Sequence, residues 1–142
     1  MSALFTLPGQ LRVVGAVLVA LGLAHAVLPR GLAWPREFRR LRPLTRQIMY
    51  THTFFIGVVC VLAGLPALLL PRELLAGGRL AAGVLAGQCA FWALRWCAQF
   101  VAFPPSLWRA SRRYTVGHLG FALLWTWVVA VFATALAAAW RA

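Results

Sequence analysis

The chain contains no lysine, and its only acidic residues are Glu37 and Glu73. Charged side chains make up 11% of its 142 residues, against about a quarter in an ordinary soluble domain. So few polar groups cannot cover a water-facing surface, which excludes a typical water-soluble globule. Neither Glu lies in an apolar run, so the inward carboxylates that a di-iron bundle requires are missing. There is no C-x-x-C pair and no C-x-x-C-H motif. That excludes a Cys-rich zinc site and covalent haem attachment, and an odd number of cysteines argues against a disulfide framework. Cys60, Cys89 and Cys97 all fall in apolar segments and read as small buried hydrophobes.

What the chain has in abundance is apolar residues, 63% of the total, and arginine. A formal net charge of +12 would suit nucleic acid, but no nucleic-acid-binding motif accompanies it. The arginines sit mainly between apolar runs, where a membrane accounts for them and a nucleic-acid partner does not. A bilayer core about 30 Å thick needs roughly 20 apolar residues in helical form. Four segments qualify, at about 11–28, 48–70, 80–103 and 115–140. The first three close at Pro29, Pro71 and Pro104-Pro105, residues that cannot continue a helical ladder. Pro66, inside the second, should kink it by freeing the Leu62 carbonyl. The expected fold is all-α: one integral membrane domain, 1–142, built as an up-down-up-down four-helix bundle. A rival reading takes the first segment as a signal peptide cleaved near Ala24-His25-Ala26, but its only basic residue, Arg12, lies too deep.

The loops predict orientation. Arg30, Arg36, Arg39, Arg40, Arg42 and Arg46 share one side with Arg109, Arg112 and Arg113, while Arg12, Arg72, Arg79 and Arg141 lie on the other. By the positive-inside rule the first group is cytoplasmic and both termini face the periplasm. Trp34, Trp108 and Trp140 fall at span ends, as aromatic belts do. The stretch from Trp34 to Arg46 mixes Trp34, Phe38 and Leu41 with five arginines. It reads either as a short amphipathic helix attracting anionic lipid or as a plain orientation signal.

Alternating spans bring His25, His52 and His118 to the same, cytoplasmic end. Three imidazoles with an open position would suit zinc, copper or iron. Two of them on facing helices would suit a b-type haem, with Arg95 pairing a propionate. On the third span Gln88, Trp92, Arg95 and Gln99 recur at i, i+4, i+7 and i+11 and share one helical face. Gln99 and Tyr50 then become the hydrogen-bonding groups that orient the ligands, and Arg95 holds an anionic group. The competing reading is an unliganded polar pocket, with the histidines packed or meeting headgroup water and Arg95 reaching for the interface. Trp125 and Trp127 read as packing residues.

The run Arg46-Gln47-Ile48-Met49-Tyr50-Thr51-His52-Thr53-Phe54-Phe55 resembles one in an uncharacterised family of small four-span bacterial membrane proteins. The stretch Phe91-Trp92-Ala93-Leu94-Arg95-Trp96-Cys97-Ala98-Gln99-Phe100 is similar to that family's third-span signature, and Leu107-Trp108 and the His118 to Trp125 segment also fit. The resemblance implies a four-span fold in a bacterial inner membrane, and no activity. Three functions stay open at this stage. One is a cofactor-bearing, redox-active membrane protein. Another is a non-catalytic binding or assembly subunit, a homo-oligomer or a partner of another membrane protein, packed through Gly15, Gly22, Gly57, Gly64, Gly83 and Gly87. The third is a small transporter or channel component, which the lack of intramembrane acids and of an inverted repeat weakens.

Overall fold

The computed structural model describes residues 5–141, so both ends of the expected 1–142 domain lie outside the described residues. The described chain is helical throughout, with no strand. Its elements are α1 (Leu7–Ala24), α2 (Leu28–Gly31), α3 (Trp34–Glu37), a 3-10 turn (Phe38–Arg40), α4 (Pro43–Leu69), α5 (Pro71–Leu75), α6 (Arg79–Val101), α7 (Pro105–Trp108) and α8 (Arg112–Ala139). Four of these, α1, α4, α6 and α8, are long and apolar enough to cross a membrane. Large apolar side chains along them face outward: Leu94 is 71% and Leu123 72% exposed. So many large exposed apolar side chains are a liability in water and are satisfied by hydrocarbon. Length and composition together mark the chain as a multi-pass membrane protein.

Proline opens helices here more often than it closes them. α1 stops at Ala24, before Pro29, because the His25, Ala26 and Val27 amides turn back onto Leu21, Gly22, Leu23 and Ala24 carbonyls. Pro29 then sits in the first turn of α2, and Pro35, Pro43 and Pro105 open α3, α4 and α7. At a first helical turn the missing N–H has no partner to lose and the fixed φ is already helical. α4 therefore begins five residues earlier than its apolar run. α8 begins at Arg112 because the Ser111 hydroxyl accepts the Tyr114 N–H at 3.3 Å, an N-cap.

The chain divides into two compact units: Arg12–Leu70, and the described residues before Arg12 together with those from Pro71 onward. In the first unit α1 and α4 run antiparallel at backbone contact. Gly15 faces Gly64 and Leu68, and Gly22 faces Gly57 and Val61. The glycines recur seven residues apart on each helix, a spacing that keeps them on one face. A Cβ on Gly64 would lie 2.7 Å from the Gly15 carbonyl oxygen, and one on Gly22 2.6 Å from that of Gly57. Without Cβ atoms the two backbones can approach this closely, and the dispersion gain replaces the hydrophobic drive that lipid cannot supply. Gly83 and Gly87, expected to pack in the same way, have no atom of the described chain within 4 Å of where a Cβ would stand.

In the second unit α6 and α8 pair antiparallel through large rings. Trp92 stacks on Trp125 with centroids 5.2 Å apart and planes 9° from parallel. Trp96 Nε1 donates to Thr126 Oγ1 at 2.9 Å. Trp127 Nε1 donates to Gln10 Oε1 at 2.9 Å, tying the start of α1 to α8. An offset aromatic pair is worth about 0.5–1.5 kcal/mol beyond its buried area. The cysteines do not behave alike: Cys60 is buried, Cys89 half-buried and Cys97 exposed, which corrects the reading of all three as core residues.

Candidate functional site

The site lies on the facing sides of α6 and α8. The i, i+4 spacing on α6 produces two side-chain pairs along one face. Trp92 Nε1 donates to Gln88 Oε1 at 2.8 Å, and Arg95 Nη1 donates to Gln99 Oε1 at 3.2 Å. Gln99 is buried, and its amide nitrogen reaches across to His118 Nδ1 at 3.0 Å. His118 is buried as well, its ring stacked on Trp108 at 4.6 Å and 7°, with Phe100 edge-on at 6.1 Å. Outside this stack the Arg109 guanidinium lies 5.0 Å from the Trp108 ring centroid. Thr115 secures the approach by donating to the Trp108 carbonyl at 2.9 Å.

The direction of these hydrogen bonds is determined by chemistry. A guanidinium only donates, so Arg95 fixes the Gln99 oxygen toward itself and the Gln99 NH2 toward His118. An amide NH2 also only donates, so Nδ1 of His118 must accept. The ring proton then resides on Nε2. Arg95 thus selects a histidine tautomer through one glutamine.

Deeper along α8, Trp125 receives the Arg95 guanidinium over its ring at 5.0 Å from the centroid. Arg95 lies six residues before the end of α6, about 9 Å inside the helix end. Trp125 is 5% exposed, and its Nε1–H is buried without a hydrogen-bond partner among the described residues. Arg95 and Trp125 therefore place a guanidinium and a buried indole N–H together between two apolar helices.

The structure brings Arg95, Gln99 and His118 together on α6 and α8. Among the described residues no group of three or more His, Cys, Asp or Glu side chains could hold a metal ion. Each histidine has its own surroundings. His25 turns Nδ1 onto its own helix, 2.7 Å from the Leu21 carbonyl oxygen, and packs against Gly57. His52 is exposed. His118 has Nδ1 committed to Gln99. Similar depth in a membrane says nothing about the angular position of a side chain around its helix, and that angle decides convergence. Tyr50, expected beside the ligands, instead stands edge-on to Trp34 and Phe38, at 6.0 Å from each. The sequence reading missed Trp108 and Trp125 as site residues. The lone cation on the third span was the only signal that could have pointed to Trp125, since arginine in hydrocarbon seeks an aromatic face.

Comparison with protein-family models, with curated proteins and with solved structures finds no match to this chain.

Proposed function

We propose that this is a non-catalytic membrane binding protein whose α6–α8 face holds a carboxylate carried on an apolar body. The observation that carries the reading is the buried Trp125 N–H without a hydrogen bond among the described residues, next to a guanidinium that lies over the same ring. Leaving such a donor unsatisfied in an apolar setting costs about 1–3 kcal/mol on mutational scales. An oxygen acceptor relieves that cost, and a cation nearby favours an anionic one. The guanidinium and the indole N–H both donate and no acid lies in the span, so the site selects oxygen and rejects cations. The apolar walls select a lipid-soluble carrier. Two sources share this chemistry, a fatty acyl carboxylate and a haem propionate.

Calorimetric titration of the detergent-purified chain with a long-chain fatty acid and with its methyl ester tests the reading. The acid is expected to bind saturably and at least about tenfold more tightly than the ester, the value of a charge-assisted hydrogen bond. Arg95→Gln should abolish the difference. Trp125→Phe, which keeps the ring but deletes the N–H, should weaken the acid. Equal binding of acid and ester, unaltered by Arg95→Gln, sinks the proposal. A Soret band in the purified protein, lost in Arg95→Gln, would identify the carboxylate as a haem propionate. A colourless protein that binds the acid would identify it as lipid-borne.

The same reading includes membership of the small four-span bacterial family and a place in the inner membrane, with the nine-arginine loops cytoplasmic. Loop charge supports that orientation. In intact cells a membrane-impermeant maleimide should label Arg79→Cys and spare Arg40→Cys. The opposite pattern would invert the topology.

A further inference from the structure

The connection between α1 and α4 lies outside the function just proposed. α2, α3 and the 3-10 turn contain no buried residue, so this stretch is not held by a protein core. It is nevertheless ordered around three rings. Trp34 and Phe38 lie 4.7 Å apart, and Tyr50, in the second turn of α4, meets both. Ala33, in the left-handed region at φ 53°, turns the chain so that Trp34 starts α3. Arg30, Arg36, Arg39, Arg40, Arg42 and Arg46 are all exposed, with Glu37 as the sole acid in the stretch. Leu32, Leu41 and Leu44 are exposed beside them. The stretch joins two helices long enough to cross a bilayer, so it must leave and re-enter the membrane on one side.

We infer that the Trp34–Arg46 segment is a docking surface for anionic phospholipid headgroups. A half-buried ring cluster with outward leucines suits the headgroup–acyl boundary, where aromatic side chains concentrate. Guanidinium groups pair with phosphate through two parallel N–H···O bonds, which a positive-inside signal alone does not need. Basic side chains close to an anionic surface add their attractions, so several arginines together give selectivity for acidic lipid over zwitterionic lipid.

Native mass spectrometry of the full chain, released from micelles holding equal phosphatidylglycerol and phosphatidylcholine of the same acyl chains, tests this. Phosphatidylglycerol should be retained roughly tenfold or more over phosphatidylcholine. Combined Arg36→Gln, Arg39→Gln, Arg40→Gln and Arg42→Gln should bring the ratio close to one, as should high salt. Combined Arg72→Gln and Arg79→Gln, on another loop, should leave it unchanged. Retention that is equal for both lipids, or that falls equally in the two variant sets, overturns the inference. Helical circular dichroism confirms that each variant is folded, and fatty-acid binding at Arg95 reports separately on the α6–α8 site.

Discussion

Gly15→Ala and Gly64→Ala should each lower the thermal stability of the purified protein, while Gly83→Ala and Gly87→Ala should leave it unchanged or raise it. Alanine in place of glycine gains up to about 1 kcal/mol of helix propensity at any of the four positions. At Gly83 and Gly87 nothing opposes that gain. At Gly64 the new methyl would stand 2.7 Å from the Gly15 carbonyl oxygen, and at Gly15 it would meet backbone atoms of Gly64 and Leu68. Backbone cannot swing aside as a side-chain tip can, so α1 and α4 must separate along their length. Overpacking costs about 1–3 kcal/mol in ordinary cores, and here the displaced atoms belong to two helices, so the penalty exceeds the propensity gain. Leucine at either position should prevent the pair from closing. A melting series over the four alanine variants reads the contrast directly. Equal shifts at all four positions would mean that α1 and α4 do not meet through Gly15 and Gly64.

The second large effect concerns Gln99. Gln99→Leu removes the acceptor of Arg95 and the donor of His118 in one step. Burying His118 Nδ1 without its partner costs about 1–3 kcal/mol, so destabilisation should exceed that of an exposed apolar exchange on the same helix. Gln99→Glu is the more informative change. A carboxylate still accepts from Arg95, but it has no N–H for Nδ1 of His118. The imidazole must then present its own proton on Nδ1, and the tautomer reverses. Nitrogen-15 spectra of histidine-labelled protein distinguish the two ring nitrogens. The parent should carry its proton on Nε2 and Gln99→Glu on Nδ1. A parent already protonated on Nδ1 would mean that the Gln99 amide does not face His118 as described.

Much of this protein was legible in its residues. Four apolar runs of sufficient length, separated by arginine-rich breaks, dictate four bilayer-length helices, because an unsatisfied backbone cannot enter hydrocarbon. Four residues on α6 at helical spacing placed Arg95 and Gln99 on one face before any neighbour was known, since helix geometry is local. Helix ends were less legible. Proline at a first turn and proline after a last turn look alike in a sequence, and only the hydrogen bonds of His25 to Val27 show that α1 has already ended.

What tertiary structure alone decided is which residues meet across helices. Glycine at seven-residue spacing packs on α1 and α4, whereas the G-x-x-x-G pair on α6 has no neighbour in the described chain. Of three histidines at one expected depth, His25 bonds the Leu21 carbonyl, His52 is exposed and His118 is buried against Gln99. Depth along a membrane normal follows from sequence position through the rise per residue. The rotation that aims a side chain at one neighbour rather than another comes from packing, and packing sums over contacts between residues far apart in the chain.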